Sequence, residues 1–166
     1  MRSGRPASRH VRYQHQRMAG FTLVWVLAAI AILSVGLAAL GPQWADEAQR
    51  AREQDLLRVG QLYAQAIARY QALSPGSLKQ YPSDLQQLLL DNRFAGTQRH
   101  LRKLYPDPLD PSRPWGIIRG PDGGILGVFS QSAAMPLRRT ALDLDGLVLA
   151  PATRYDEWKF IARPPT

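Results

Sequence analysis

The sequence predicts an α+β chain. A long N-terminal α-helix, transmembrane in its first half and amphipathic in its second, packs on a small head with a three- to four-stranded antiparallel sheet. Three observations predict this. Phe21 to Leu40 is a 20-residue run broken only by Thr22, Ser34 and Gly36, and no charge occurs from Met18 to Ala45. Beyond Pro42, apolar residues recur at steps of three and four. After Leu73, short segments of alternating polarity lie between prolines and glycines. The chain thus divides into a basic stretch 1–20, an apolar helix 21–42, its amphipathic continuation 43–73 and a head 74–166.

The first 20 residues carry Arg2, Arg5, Arg9, Arg12 and Arg17 and no acid. Of the formal charge of +8, only +3 remains without them, from 16 basic and 13 acidic residues. Most of the basic excess therefore belongs to a leader, not to a face that binds polyanions. The chain has no cysteine, so disulfides and thiolate chemistry are excluded and the head folds without covalent staples.

At 1.5 Å per residue the apolar run spans about 30 Å, the thickness of a hydrocarbon core. A buried core helix is the plainer reading, but the length, purity and basic flank of the run speak against it. Arginines before the run and Asp46 and Glu47 after it place the N-terminus in the cytoplasm and the head outside it. A secretory signal peptide competes, because Ala38-Ala39-Leu40-Gly41 imitates a cleavage site. The usual apolar region of such a peptide, about 7–15 residues, is shorter than this run. Gly41-Pro42 predicts a helix kink at Pro42, since proline removes one backbone bond and clashes with the preceding turn. The alternative is a helix end at the membrane surface. The kink is favoured because helical periodicity resumes at once.

In the second half, Leu56, Val59, Tyr63, Ala66, Ile67, Tyr70 and Leu73 define one face. Arg50, Arg52, Glu53, Asp55, Arg58, Gln61, Gln65 and Arg69 define the other, and Ser74-Pro75-Gly76 ends the helix. From Phe21 to Leu73 the element has 53 residues, about 80 Å of rise. Its apolar stripe requires a cover.

Eleven of the 13 prolines fall in the head. Ser83 or Asp84 caps a predicted helix through about Asn92, with Leu85, Leu88 and Leu89 inward. The stretch from Thr97 to Pro114 reads as an ordered loop. Trp115–Arg119 and Ile125–Ser130 form a predicted hairpin about Pro-Asp-Gly-Gly, and Tyr155–Ala162 a third strand that covers the stripe with it. "LDGLVLA" fits either a further short strand or a loop.

Little here points to catalysis. His10 and His15 lie in the leader, and His100, among Arg99, Arg102 and Lys103, reads as a surface residue. No phosphate loop, zinc spacing or nucleophile elbow occurs, so the chain is not expected to be an enzyme. Asp143 and Asp145, with Asp122 or Asp156, offer oxygen ligands to calcium, though two such acids more commonly sit on a solvated loop; no cofactor is expected. Arg99, Arg102, Lys103, Arg138 and Arg139, with Tyr105 to stack, offer a DNA contact. A solvated face balanced by Asp107 and Asp110 is the simpler reading, and nucleic acid is not an expected partner.

Gly20-Phe21-Thr22-Leu23-Val24, set between the arginines and the apolar run, resembles the type IV pilin and pseudopilin family. There a prepilin peptidase cuts on the cytoplasmic side after Gly and before Phe. The resemblance implies cleavage between Gly20 and Phe21 and N-methylation of Phe21, leaving a leader of residues 1–20, with Met18 as an alternative start. Pro42 would be the twenty-second mature residue, where family members often bend. In the head, Tyr81-Pro82, Leu101-Arg102-Lys103, Pro106-Asp107-Pro108 and Trp115-Gly116 resemble the protein G branch of type II secretion pseudopilins, some of which hold calcium before their last strand. The implied function is a structural subunit of a type II secretion pseudopilus that assists export of folded proteins. It is anchored in the bacterial inner membrane by one pass, with its head in the periplasm. The implied partners are other pilin-like subunits packed helix to helix, the peptidase and the secretion assembly platform. A minor pilin of a type IV pilus or DNA-uptake system, and a single-span periplasmic protein, are the alternatives.

One position departs from the pattern. Trp25 stands where the family has Glu, which is thought to pair with a neighbouring subunit's N-terminal amine. An acid in lipid is costly, about 2.5–3.5 kcal/mol for Asp on the insertion scale, so it persists only with a partner. Trp25 offers no charge, which points to a minor, tip-proximal subunit; a packing variant in a divergent system is the other reading.

Overall fold

The computed structural model describes residues 19–163, with side chains described at 21–34 and 44–163; the leader expectations for 1–18 lie outside the described residues. The chain is α+β, with antiparallel sheets of three and two strands. It divides into two compact units, Met1–Ala45 and Asp46–Thr166. Helix α1 spans Ala19–Ala72.

Within the second unit, one face of α1 is the spine of the core. Leu56, Val59, Tyr63, Ala66, Ile67 and Tyr70 are all buried, joined by Leu57 and Ala64. The stripe stops one turn earlier than expected, because Leu73 is exposed. Glu53 breaks the expected polar face: it is only 2% exposed. Its place three residues before Leu56 continues the apolar row, so the row turns it inward.

The cover is the sheet of β1 (Gly116–Arg119), β2 (Ile125–Phe129) and β5 (Phe160–Ile161), in the order β1-β2-β5. The hairpin falls where alternation placed it. Ile117 pairs with Val128, a register shift lies between Ile118 and Arg119, and Gly120 N donates to Gly124 O to close the turn. β5 joins β2 through Gly127 with Ile161 and Val128 with Phe160.

Two glycines make this close approach possible. A Cβ on Gly60 of α1 would fall 2.5 Å from the Phe160 ring, and one on Gly127 would fall 2.3 Å from the Phe160 carbonyl oxygen. The Phe160 ring thus lies against bare helix backbone, and the Trp115 ring stands edge-on to it at 6.4 Å. Trp115 also packs on Tyr63, centroids 5.4 Å apart.

Two expectations change, and one open segment is settled. The strand at Tyr155–Ala162 is a 3-10 turn, Tyr155–Glu157, followed by a two-residue strand. Tyr155 and Trp158 both face inward, a spacing of three that a strand cannot give, and Thr153 N and Oγ1 donate to Glu157 to hold the turn. The helix from Ser83 or Asp84 to Asn92 is one 3-10 turn, Leu85–Leu88, capped by Asp84 accepting from Gln86 N. It ends because Leu88 O accepts from His100 N and Leu101 N, which takes the carbonyl a longer helix would use. The undecided "LDGLVLA" segment lies in a hairpin, β3 (Leu142–Leu144) and β4 (Leu147–Leu149). The main sheet has three strands, as expected, and β3 and β4 form a separate pair that bonds only with each other.

Packing of this kind fixes two expected outcomes. In a chain starting at Asp46, Ile67→Ala should lower stability by roughly 2–5 kcal/mol, as for a fully buried aliphatic residue. An unchanged denaturation midpoint would show that Ile67 is not core. Gly60→Ala should destabilise as well, although alanine is the better helix former by about 1 kcal/mol. A gain in melting temperature would mean that Phe160 does not need the notch.

Candidate functional site

The expected processing site opens α1. Gly20 and Phe21 lie in its first turn, Phe21 is 69% exposed, and Trp25 one turn on is 63% exposed. Their rings meet edge to face, centroids 6.4 Å apart, as an i, i+4 pair does on a helix. Leu23, Val24, Val26, Leu27, Ile30, Ile32 and Leu33 are also exposed, so apolar side chains project all round this part of the helix. Ser34 Oγ returns its hydrogen bond to Ile30 O and exposes no bare donor. Among the described residues no helix is long and apolar enough to cross a membrane. Side chains of the run are described only as far as Ser34, whereas the sequence continues it to Leu40. Helix α1 is continuous through Pro42. The side chains at 35–43, with the expected bend, lie outside the described residues.

In the second unit the polar chemistry is inside the head. Three acids are buried there. The Glu53 carboxylate accepts at 2.8 Å from the Tyr155 hydroxyl and at 2.8 Å from Leu137 N, and Arg138 Nε lies 3.4 Å from its other oxygen. The helix is thereby joined to a loop 84 residues later and an aromatic 102 residues later. Burial pushes the Tyr155 hydroxyl pKa up, so it stays a donor.

Asp91, the second, is 1% exposed. Its carboxylate receives Arg93 Nη2 at 2.6 Å and Nε at 2.8 Å and lies 3.1 Å from His100 Nε2. The doubled guanidinium bond holds the Asp91 carboxyl well below the usual carboxylate range, against its own burial, and raises the Arg93 pKa. Arg93 then reaches the end of α1. It donates to Tyr70 O at 2.8 Å and to Ser74 Oγ at 2.7 Å, with its guanidinium 3.5 Å from the Tyr70 ring centroid. A cation at the last carbonyls of a helix satisfies orphan acceptors and opposes the dipole.

His100 is therefore not the surface residue its basic neighbours suggested. It is 6% exposed, turned inward by Asp91 and by the Tyr70 ring, 5.4 Å away. Asp107, the third acid, is fully buried and accepts from Leu109 N and Ser130 Oγ. Asp110 pairs with Arg113 at 3.2 Å. Neither acid balances Arg99, Arg102 and Lys103, contrary to expectation.

The calcium candidates form a turn instead. Asp145, at φ 51°, and Gly146, at φ 86°, make the two-residue loop of the β3–β4 hairpin. Asp143 Oδ1 accepts from Gly146 N and Asp145 Oδ2 from Gln61 Nε2, both at 2.7 Å. Among the described residues no three His, Cys, Asp or Glu side chains gather as a metal-ligand group, so Asp122 and Asp156 do not join the pair. Sequence reasoning missed the inward turn of Glu53, whose spacing to Leu56 was the available signal. It also missed the Asp91–Arg93–His100 cluster, for which spacing gave none.

The chain matches no family model, no curated protein and no solved structure.

Asp91 sets a pH dependence. Its folded pKa lies below the ordinary 3.8, so its contribution is complete above about pH 4–5 and is lost as pH falls through the lower folded value. Asp91→Asn should cost roughly 3–5 kcal/mol at pH 7, as breaking a buried pair does. The gap in melting temperature between wild type and variant should be flat from pH 5 to 7 and narrow below about pH 4. A gap that widens on acidification would contradict the assignment.

Proposed function

We propose that this chain is a structural subunit, a minor pseudopilin, of a type II secretion pseudopilus that assists the export of folded proteins. One observation carries the reading: Gly20-Phe21-Thr22-Leu23 stands between an arginine-rich segment and an uncharged apolar run. A signal peptide is cut after its apolar run and loses the anchor. A cut between Gly20 and Phe21 removes the arginines and keeps it.

The exposed side chains support an anchor. Trp25 and Trp44, 63% and 73% exposed, lie 19 residues apart, about 28 Å of helix rise and close to the thickness of a hydrocarbon core. Tryptophan is enriched at both membrane–water interfaces, so the pair suits a helix held with one ring at each boundary. Trp25 in place of an acid is what favours a minor, tip-proximal subunit over the bulk subunit: with no charge there, it cannot neutralise a neighbour's amine. In this reading the inner membrane holds residues 21–42 of α1, the N-terminus is cytoplasmic, and the head is periplasmic. Other pilin-like subunits, the prepilin peptidase and the assembly platform are its partners in this reading, and its role is structural, not catalytic.

Mass spectrometry of the protein from its native membrane should find a mature chain beginning at N-methylated Phe21. A start near Gly41 or Pro42 would identify an ordinary signal peptide and end this reading. Quantitative mass spectrometry of sheared fibres should find the chain substoichiometric; if it is the most abundant subunit, the minor role is wrong.

A further inference from the structure

A second, unassigned site lies on the flank of the head, where the His100–Tyr105 segment crosses α1. A half-open cleft of about 650 Å³ is floored by Leu62, Leu101 and Tyr105 and rimmed by Arg69, Arg99 and Arg102, and no acid lines it. Among the described residues, Arg99 and Arg102 enter no ion pair, and Arg69 donates only to the His100 carbonyl, at 3.2 Å. The two acids nearest in sequence are used elsewhere: Asp107 is buried on Ser130 and Asp110 pairs with Arg113. Three guanidinium groups therefore face one opening with their charge uncompensated from within the head.

The walls of this cleft are fixed. Tyr105 N donates to the Tyr63 hydroxyl at 2.9 Å, while Tyr105 O accepts from that hydroxyl at 3.1 Å and from Trp115 Nε1 at 2.8 Å. His100 N and Leu101 N both donate to Leu88 O, and the His100 ring is held by Asp91. The rim thus stands on backbone that core residues pin in place, which lowers the ordering cost of a ligand.

We infer that this cleft binds an acidic peptide segment of a partner protein, its carboxylates on Arg69, Arg99 and Arg102 and an apolar side chain on the Leu62–Leu101–Tyr105 floor. Charge complementarity and the mixed lining select that occupant. Guanidinium forks match carboxylates two bonds at a time, and a floor of two leucines and a tyrosine rewards an apolar residue between them. Nucleic acid fits less well. A single strand needs a basic track over several nucleotides, and beyond Lys103, whose ammonium lies 5.2 Å from the Tyr105 ring centroid, the cations do not continue: Arg138 is at Glu53 and the Arg139 guanidinium rests on Met135 Sδ. The inference rests on the head alone and does not require the secretion reading.

The test uses the full chain in micelles of a neutral detergent and fluorescence anisotropy. The probe is a labelled six-residue peptide alternating aspartate with leucine and phenylalanine. Its asparagine counterpart, a labelled single-stranded oligonucleotide and inorganic phosphate are the other arms. The acidic peptide should bind, weaken as salt is raised, and be displaced by neither the asparagine peptide nor phosphate at equal concentration. The double variant Arg99→Gln, Arg102→Gln, in which both residues are exposed and unpaired, should lose about tenfold in affinity, and Arg52→Gln should lose none. A photoreactive phenylalanine in the peptide should crosslink within residues 99–105 of the wild-type chain, which locates the site without any variant. No binding of the acidic peptide, equal binding by the double variant, or crosslinks elsewhere would overturn the inference. Tighter binding of the oligonucleotide, lost in the same double variant, would overturn it in favour of a nucleic-acid site.

Discussion

The head depends on the contact between the Phe160 ring and the bare backbone of Gly60. A helix with an apolar stripe gains nothing from the stripe until a second layer covers it. Here that layer is a sheet whose last strand has only two residues, Phe160 and Ile161. So short a strand cannot hold a sheet on a helix by ladder bonds alone. Phe160 does so through its side chain, which is fully buried between Gly60 and Trp115. Gly127 lets the adjoining strand approach on the other side, since any Cβ there would strike the Phe160 carbonyl. Two missing side chains and one large ring thus set the spacing of the two layers.

The three buried acids solve a different problem. Most of the head is irregular chain, and loops do not hold themselves in place. Each acid collects donors from segments distant in sequence. Glu53 gathers Tyr155 and Leu137, Asp91 gathers Arg93 and His100, and Asp107 gathers Ser130 and Leu109. Among the described residues no buried side-chain nitrogen or oxygen lacks a partner. A carboxylate accepts several hydrogen bonds in fixed directions, and breaking such a cluster leaves a charge buried without compensation. The clusters therefore bind the loops strongly and also specify where they go. Arg93 does both at once, since it neutralises Asp91 and closes the end of α1.

The same economy explains the basic rim. Because the head's acids turn inward or pair locally, the arginines that cross α1 are left facing outward without counter-charge. At the other end of the helix the reverse holds. Uncharged and apolar residues are exposed in numbers that water does not favour.

The sequence by itself determined the elements with a strong period. The α1 stripe from Leu56 to Tyr70, the hairpin about Pro-Asp-Gly-Gly and the α+β class were all legible, because a period of 3.6 or 2 is written locally. The Gly20-Phe21-Thr22-Leu23 segment and the apolar run are likewise properties of sequence, since they concern composition and spacing rather than packing. Tertiary structure alone decided what contacts between distant segments decide. Tyr155–Glu157 is a turn because both of its aromatic neighbours must point inward, and the segment after Asp84 stops at Leu88 because the His100 loop claims a carbonyl. His100 is buried because Asp91 and Tyr70 meet it there. His100 lies well beyond one turn of Leu88 and of Tyr70 in the sequence. Local propensity carries no information about such a pairing, and the energy of a buried polar contact then outweighs the small preferences that the local sequence expresses.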